Sequence, residues 1–405
     1  MKDILLVTNY CQFPGESGNS RYTYLAEKLV EAGFKVEIIA STFYHKTKKQ
    51  RTFDGDSIKG VGYKATLIYE PGYSKNVSLK RIHSNKVIAG NIIKYLKKRK
   101  KPDLIYCPFP PISIGNKVAK FSANNKIPFV IDIQDLWPEA FKMVFKLPLI
   151  SDLLFKPMEM SANKVFKNAN AVVAVSETYV NRALSVNKSL ECGLSVFLGT
   201  DLVRFDSYSK QQKGLFKPKN EIWIVYIGTL GNSYDINTVS EALKILKERD
   251  IYNIKFIVIG DGPKRTFFEK YANELDISYE FTGMMLYEDM VRKLILCDIG
   301  VNPIIKGTAS SIINKVGDYA AAGIPVVNTQ ESLEYRNYIE SLKIGLNCEC
   351  ENSLDVANKL EELINNKDLR KEMGLNNRLF AESKFDRSKT YAEIVNLIKS
   401  LVDDN

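Results

Sequence analysis

Lys315 and Asp318 are the residues whose types and spacing indicate chemistry most directly, and both fall in a segment that predicts a helix. The first helical turn carries Lys315 and no carboxylate, so free backbone N–H groups, helix dipole and ammonium together favour an anion. One turn later, the Asp318 carboxylate is suited to accept hydrogen bonds from the hydroxyl groups of a sugar. A capped helix with a single Asp is more often only structural, so this interpretation needs support from the rest of the chain.

The limits of that helix follow from its own residues. Ser310 and Ser311 are N-cap candidates, and apolar residues recur behind them at helical spacing. Gly323 ends the helix and Pro325 cannot continue it. The β-branched pair that follows, residues 326–327, predicts a buried strand.

Two carboxylates in the segment 132–139 form a second candidate site. Asp135 and Glu139 are candidates for orienting or deprotonating a hydroxyl group of an acceptor. Alternatively, Asp135 caps a helix that starts at Leu136 and has Pro138 in its first turn, and both interpretations can hold together.

Composition narrows the class of protein. The chain has 405 residues, enough for two or three domains with ample core. Its six cysteines are scattered, and the pair Cys348 and Cys350 has no histidine nearby, so neither a zinc site nor a disulfide framework is indicated and a reducing cytoplasm fits. Residues 1–13 do not read as a signal peptide, and no run reaches the roughly 18 to 20 apolar residues that span a bilayer.

The positive charge is concentrated in the first half of the chain. Residues 1–200 contain 30 Lys and Arg against 16 Asp and Glu, whereas the remainder contains 27 against 31. Such asymmetry favours a polyanionic partner for the first half, either an anionic membrane or nucleic acid; solvated surface lysines are the alternative. Because the lysine runs lack an aromatic stacking pattern, no nucleic-acid partner is expected.

Strand-like and helix-like segments alternate from the first residues onward. A strand at residues 4–8 runs into a glycine-containing loop that we expect to line a cleft, through Gly18, Asn19 and Arg21. The loop matches the dinucleotide fingerprint poorly and no acidic residue ends the next strand, so a nicotinamide cofactor is rejected. The alternative is that the glycines only shape a turn.

The order of the segments predicts two doubly wound α/β domains that face each other across a cleft. The expected divisions are a first domain at 1–201, a polar linker at 202–220, a second domain at 221–380, and a final helical segment at 381–405 that packs back on the first domain.

With these elements in order, the chain resembles retaining glycosyltransferases of the GT-B fold, in particular glycosyltransferase family four. Gly199-Thr200-Asp201 with Phe205 looks like the family's interdomain signature, and the 310–318 segment looks like its E-x7-E helix, with the second acid at Asp318. Residues 132–139 resemble the "RDLWPE" segment of bacterial transferases that add aminodeoxy sugars to O-antigen and capsule. Further family motifs fall at 260–263, 281–283 and 298–303.

This chain departs from the family pattern at the charged positions. Ser310 replaces the first acid of E-x7-E, and the Arg and Lys expected on the loop after the first C-domain strand fall at Thr229 and Tyr234. Lys315 is the first substitute for a cation on the donor diphosphate, with Arg265 and Arg21 as alternatives.

The resemblance implies metal-independent transfer of a sugar from a nucleotide sugar, without a cofactor. It also implies that the domain at 1–201 binds the acceptor and that the domain at 221–380 binds the nucleotide sugar. The donor is expected to be UDP-linked, with an N-acetylated or aminodeoxy hexose, and the acceptor a lipid-linked saccharide of surface polysaccharide biosynthesis. Asp318 would bind the ribose. The other residues expected to bind the donor are Gly231, Asn232, Arg265, Met284, Leu286, Ser310, Ser311 and Lys315.

Lysines interleaved with bulky apolar residues at 141–156, together with the cationic run 94–101, favour docking on the inner face of the cytoplasmic membrane. In the alternative, the apolar residues are core and the lysines are solvated. Two other functions stay open: a UDP-sugar epimerase of the same fold, and a non-catalytic partner subunit of a transferase complex.

Overall fold

The computed structural model describes residues 1–16, 21–144, 148–211, 214–307 and 312–403, with the side chains of 142–144 and 148–151 excepted. The described chain forms two compact units. The first comprises Met1–Phe197 and Tyr391–Asn405, and the second comprises Leu198–Thr390.

The first unit is built on a seven-stranded parallel sheet in the order β5-β2-β1-β6-β7-β8-β9. Its central strands are continuous apolar runs, as expected for strands covered on both faces. The strands of this unit, with the short antiparallel pair β3 and β4, are β1 (Asp3–Val7), β2 (Lys35–Ser41), β3 (Phe43–Tyr44), β4 (Lys49–Gln50), β5 (Lys64–Ile68), β6 (Leu104–Phe109), β7 (Phe129–Ile133), β8 (Ala171–Ala174) and β9 (Leu194–Ser195).

Helices connect these strands as crossovers. They are α1 (Arg21–Glu31), α2 (Leu79–Lys98), α3 (Ile112–Asn125), α4 (Glu139–Val144), α5 (Pro148–Lys167) and α6 (Glu177–Leu184). Because each helix begins after a parallel strand ends, the loops that follow β1, β2, β5 and β7 all lie at the carboxyl edge of the sheet.

The second unit repeats the architecture with a six-stranded parallel sheet in the order β12-β11-β10-β13-β14-β15. Its strands are β10 (Ile222–Ile227), β11 (Ile254–Ile259), β12 (Tyr279–Gly283), β13 (Ile299–Asn302), β14 (Val326–Asn328) and β15 (Gly345–Asn347). Its helices are α7 (Leu202–Ser209), α8 (Ile236–Glu248), α9 (Arg265–Glu274), α10 (Tyr287–Leu294), α11 (Asn314–Ala322), α12 (Leu333–Leu342), α13 (Ser353–Asn365) and α14 (Lys367–Phe380). The predicted pair of doubly wound units is confirmed.

The last helix, α15 (Arg387–Asp403), begins in the second unit and continues in the first. Its apolar residues Tyr391, Ile394 and Ile398 belong to the hydrophobic core of the first unit, together with residues of β1 and α1. The Lys2 ammonium also donates to the Val402 carbonyl oxygen at 2.6 Å.

The segment 202–220, which was predicted to be a linker, begins with a helix. Residues 202–209 form α7, capped by Asp201, whose carboxylate accepts from the Arg204 N–H at 3.0 Å. Leu202 and Phe205 are buried, three residues apart on one face of the helix. A capped helix with a buried face belongs to the second unit, which begins at residue 198.

Candidate functional site

Three glycines end adjacent strands at the carboxyl edge of the second sheet. Gly228, Gly260 and Gly283 follow or end β10, β11 and β12, and all three have positive φ. A Cβ on Gly260 would lie 1.9 Å from the Gly228 carbonyl oxygen, so only glycine fits there. These close approaches bring the backbone of three loops together at one end of the sheet.

Lys315 lies on α11 beside the first of these turns. Its ammonium lies 3.9 Å from the centroid of the Tyr226 ring and 4.0 Å from that of Tyr234. A Cβ on Gly228 would lie 3.2 Å from its Nζ. The side chain is only 5% exposed, and within the described residues its Nζ has no hydrogen-bond partner.

Burial lowers the pKa of Lys315 well below its ordinary value. Two aromatic faces stabilise the ammonium by cation–π attraction, but they do not replace hydrogen bonds lost from water. An anion placed beside the ammonium would supply them and would favour the charged form.

The loop after β10 adds backbone donors. In the part of the chain that the structure describes, no acceptor lies within hydrogen-bond reach of the N–H groups of Thr229, Gly231 and Asn232. Asn232 is exposed and Gly231 half-buried, and a Cβ on Gly231 would approach only a Thr229 methyl group, at 3.7 Å. Free N–H groups next to a lysine are what a phosphate group requires.

Arg265 begins α9, after the glycine turn of β11. Its Nη2 donates to the Phe281 carbonyl oxygen at 3.1 Å. Asp261 and Glu269 each lie 3.7 Å from its guanidinium. Arg265 is therefore close to the glycine turns and to two carboxylates, whereas the Lys315 ammonium has no partner in the described chain.

Asp318 lies one turn after Lys315 on α11 and is half-buried. Its carboxylate accepts from the Tyr287 hydroxyl at 2.9 Å. Burial raises the pKa of Asp318 to about 6, although the Tyr287 hydrogen bond and the Arg387 charge act in the opposite direction. The carboxylate therefore changes charge close to neutral pH.

The remaining residues that were predicted to bind the sugar donor are either exposed or lie outside the described residues. Met284 and Leu286 are 74% and 69% exposed, directly after Gly283. Ser310 and Ser311, predicted as N-caps, lie outside the described residues, as do Gly18 and Asn19 of the predicted cleft loop. In the described chain α11 begins at Asn314, with Ile313 at the cap position and no side-chain cap.

Arg21, predicted on the same cleft loop, is instead part of the core of the first unit. It is 3% exposed, and its Nε donates to the Asp132 carboxylate at 2.7 Å. Its Nη1 donates to the carbonyl oxygens of Val196 and Phe197. A buried ion pair commits this guanidinium, so Arg21 does not supply a free cation.

The two candidate acids of the first unit have different environments. The Asp135 carboxylate follows β7, is half-buried and accepts from the Trp137 indole N–H at 3.0 Å. Burial raises its pKa, and the charge of Glu139 acts in the same direction. Glu139, at the start of α4, accepts from the Arg182 guanidinium and forms an ion pair with it.

A cationic and aromatic cluster next to Asp135 was missed in the sequence. The Arg81 guanidinium lies 5.0 Å from the centroid of Trp137, 5.5 Å from that of Tyr73 and 5.9 Å from that of Tyr10. Lys48 and His45 complete the cluster. The residues come from loops after four strands and from α2, so no short sequence motif predicts the cluster.

The interdomain signature has a structural role. The Thr200 N–H donates to the Phe385 carbonyl oxygen at 2.7 Å, and Asp201 caps α7. Among the described residues, no group of three His, Cys, Asp or Glu side chains is placed to hold a metal ion. No helix in the described ranges has the length and apolar character to cross a membrane.

A family model and several known proteins match parts of this chain. The family model described as "Glycosyl transferases group 1" matches residues 207–380, which include Lys315, Asp318 and the three glycine turns. An uncharacterized glycosyltransferase of Methanocaldococcus jannaschii is 25% identical over 255 residues, covering 59% of this chain and 60% of that protein. The capsular polysaccharide biosynthesis glycosyltransferase CapM of Staphylococcus aureus is 21% identical over 253 residues, covering 58% and 63%.

A third relative comes from Campylobacter jejuni. It is an alpha-1,4-N-acetyl-D-galactosaminyltransferase whose name includes a saccharide on diNAcBac-PP-undecaprenol, and it is 25% identical over 199 residues, covering 44% of this chain and 52% of that protein. This chain therefore spans between about a half and two thirds of the length of these relatives. The family model and the three relatives therefore match parts of this chain, and all of them are described as glycosyltransferases.

Solved structures show the same fold. Sucrose-phosphate synthase from Thermosynechococcus elongatus superposes with a TM-score of 0.73 at 16% identity, covering 100% of both chains. HepE of Anabaena, solved in complex with UDP, gives 0.70 at 16% identity and covers 99% of this chain and 100% of that one. The predicted GT-B fold class is confirmed.

Proposed function

We propose that this chain is a retaining, metal-independent group 1 glycosyltransferase that moves a sugar from a UDP-linked donor to a lipid-linked saccharide. The observation that carries the proposal is the Lys315 ammonium, buried and without a hydrogen-bond partner in the described chain, beside the glycine turn at Gly228. The proposed donor sugar is an N-acetylated or aminodeoxy hexose, and the pathway is surface polysaccharide biosynthesis.

The donor diphosphate is the anion that suits Lys315. Sugar transfer breaks the bond between the anomeric carbon and the diphosphate, which leaves with the bonding electrons, and negative charge grows on it in the transition state. Lys315 and the N–H groups of Gly231 and Asn232 would stabilise this charge, and Arg265 would lie near the diphosphate. In this proposal the protein itself supplies the charge for which other transferases use a metal ion.

The nucleoside would lie against the neighbouring loops. Asp318, once ionised, accepts hydrogen bonds from the ribose hydroxyl groups in place of Tyr287. Met284 and Leu286 offer exposed apolar side chains for the base. The choice of uridine rests on the family resemblance and on the UDP in the HepE structure.

In the first unit, Asp135 is the proposed general base. A bond forms between the acceptor oxygen and the anomeric carbon, and the hydroxyl proton passes to Asp135 or to a departing phosphate oxygen. A raised pKa suits a carboxylate that receives a proton. Glu139, held by Arg182, is assigned the positioning of this segment.

A lipid-linked acceptor and a membrane surface form the remaining part of the proposal. CapM and the Campylobacter relative are named for capsule biosynthesis and for a polyprenol-linked saccharide. Leu153 and Leu154 of α5 are 77% and 60% exposed in the basic half of the chain. Exposed apolar residues among lysines favour peripheral attachment to the anionic inner face of the cytoplasmic membrane.

A thermal-stability screen tests the donor site. The purified chain is heated with UDP, UDP-hexoses, UDP-N-acetylhexosamines and GDP-sugars, beside Asp318→Ala. Ligand at about a hundred times its Kd stabilises the fold by about 2.7 kcal/mol. A shift with the UDP series that is lost in the variant supports the proposal, and no shift with any nucleotide refutes it and favours a non-catalytic partner subunit.

A product assay then tests the reaction. The stabilising UDP-sugar is incubated with lipid-linked saccharides, with and without EDTA, and the anomeric configuration of the product is determined. We expect transfer with retention in both conditions. Isomerised donor without transfer would instead establish the epimerase, and transfer abolished by EDTA and restored by a divalent cation would refute metal independence.

A further inference from the structure

We propose that the cluster around Arg81 in the first unit is the acceptor subsite, and that it selects a saccharide carrying an anionic group, a phosphate or a carboxylate. This inference rests on the proposed transferase function and names the acceptor chemistry, which the donor site leaves open. The cluster lies at the carboxyl edge of the first sheet, after β1, β2, β5 and β7, next to Asp135.

The hydrogen bonds of Arg81 leave one of its N–H groups without a partner in the described chain. Its Nη2 donates to the Tyr10 hydroxyl at 2.8 Å, and its Nη1 donates to the Asn76 carbonyl oxygen at 2.8 Å. Its Nε is buried and, within the described residues, has no partner. A guanidinium has five N–H donors in a planar fork, a geometry that matches phosphate and carboxylate oxygens.

Lys48 contributes a second cation to the same cluster. Its ammonium lies 4.9 Å from the centroid of the Tyr73 ring and donates to the Asn76 side-chain oxygen at 2.6 Å. It also lies 3.0 Å from His45 Nδ1, and the Tyr73 hydroxyl lies 2.6 Å from the same nitrogen. Burial, together with the charges of Lys48 and Arg81, lowers the pKa of His45 to about 4, so the imidazole is neutral at pH 7.

Carboxylates are nearby but do not pair with these cations. Within the described residues, neither Asp135 nor Glu70 lies within 4.0 Å of the Arg81 or Lys48 nitrogens, although their charges act on them at longer range. Glu70 is buried and accepts from the Ser84 hydroxyl at 2.8 Å. Within the described residues, the two cations therefore have neutral hydrogen-bond partners and no carboxylate at contact distance, and Arg81 Nε has no partner.

The aromatic side chains determine what else the ligand must carry. Trp137 and Tyr10 are half-buried. Sugar rings present C–H groups that pack on aromatic faces, whereas a free inorganic ion makes no use of them. Asp135, held by the Trp137 indole N–H, provides the hydrogen-bond acceptor for a sugar hydroxyl. Cation, ring and carboxylate together fit an anionic saccharide.

The two tryptophans of the chain allow a direct test, because Trp137 lies in this cluster and Trp223 lies in β10. The full chain, labelled with ¹⁵N in tryptophan, gives two indole N–H signals that Trp223→Phe assigns. With the donor site saturated with UDP, the protein is titrated with N-acetylglucosamine 1-phosphate, methyl glucuronide, neutral methyl N-acetylglucosaminide and inorganic phosphate.

We expect an anionic saccharide to shift the Trp137 signal with a Kd at least tenfold below that of the neutral glycoside and of inorganic phosphate. Arg81→Met and Lys48→Met should each raise that Kd at least tenfold, and Arg81→Lys should recover part of the loss. Lys86→Met, an exposed lysine on the same helix, should leave it within twofold. Binding of N-acetylglucosamine 1-phosphate indicates that the anionic group is a phosphate, and binding of methyl glucuronide indicates a carboxylate.

Equal binding of the neutral glycoside, unchanged affinity in folded Arg81→Met, or a shift confined to Trp223 would each overturn the inference. Circular dichroism and thermal unfolding of each variant show that it is folded. Calorimetric binding of UDP to the same samples separates the two proposals. A chain that binds UDP but whose Trp137 signal does not move refutes the acceptor subsite alone, and a chain that binds no UDP refutes the transferase.

Discussion

The Tyr234 ring lies 4.0 Å from the Lys315 ammonium, at the position where the family that this chain resembles carries a lysine. The chain thus has an aromatic residue on the loop and a cation on α11, at the same carboxyl edge of the sheet. This contact places the Lys315 side chain next to the glycine turns, on a loop that lacks the two cations of the family that the chain resembles. It is also the basis of the donor-site account.

The first prediction separates the two carboxylates of the first unit. Asp135→Asn should lower kcat by about 10²- to 10⁴-fold, the usual contribution of a general base, with donor affinity unchanged. Glu139→Gln should instead lower the unfolding temperature, because it weakens the ion pair with Arg182, and should reduce kcat less. Equal kcat for Asp135→Asn and the wild type would assign the proton to the donor phosphate.

The second prediction concerns pH. Burial raises the pKa of Asp318 to about 6, and only the ionised carboxylate accepts from ribose hydroxyls, so its contribution to UDP-sugar affinity should grow as pH rises from about 5 to 7. Asp318→Asn should lack this contribution. Calorimetry at several pH values gives the ratio of the two affinities, and a UDP-sugar avoids the terminal phosphate of UDP, which itself titrates. A ratio independent of pH would contradict the role of Asp318.

The third prediction concerns the glycine turns. Gly260→Ala should destabilise the chain by about 2 to 5 kcal/mol, because the new Cβ meets the Gly228 carbonyl oxygen in addition to the cost of positive φ. Gly214→Ala is the control: Gly214 also has positive φ, with nothing within 4 Å of the added Cβ, and should cost about 1 to 2 kcal/mol. Urea unfolding measures both, and equal losses would disprove the close approach.

How far the sequence predicts this molecule depends on the range of the interactions. Apolar β-branched runs and Gly323, at the end of α11, are local signals, and they predicted the two parallel sheets and the end of that helix correctly. Arg21 was misplaced because its burial depends on Asp132, more than a hundred residues away. The Arg81 cluster depends on four separate loops, and no local pattern marks such an assembly.

The fourth prediction concerns the membrane. Leu153→Ser with Leu154→Ser should reduce flotation of the chain with anionic vesicles at least tenfold, since each exposed leucine would add about 1.5 to 3 kcal/mol when buried in lipid. Val203→Ser, an equally exposed apolar residue of α7, serves as the control and should float as the wild type does. A wild-type chain that stays at the bottom of the gradient would refute docking.

The most direct test of the account is calorimetric titration of UDP into the wild type, Lys315→Met and Lys270→Met, an exposed lysine on α9. A charged hydrogen bond contributes about 1.5 to 3 kcal/mol, so Lys315→Met should weaken UDP binding by about 10- to 150-fold. Lys270→Met should bind as the wild type does. Unloaded Lys315→Met should unfold at a higher temperature than the unloaded wild type, because it no longer buries an unpaired amine. UDP affinity that is unchanged in a folded Lys315→Met would contradict the central claim that this lysine holds the donor diphosphate.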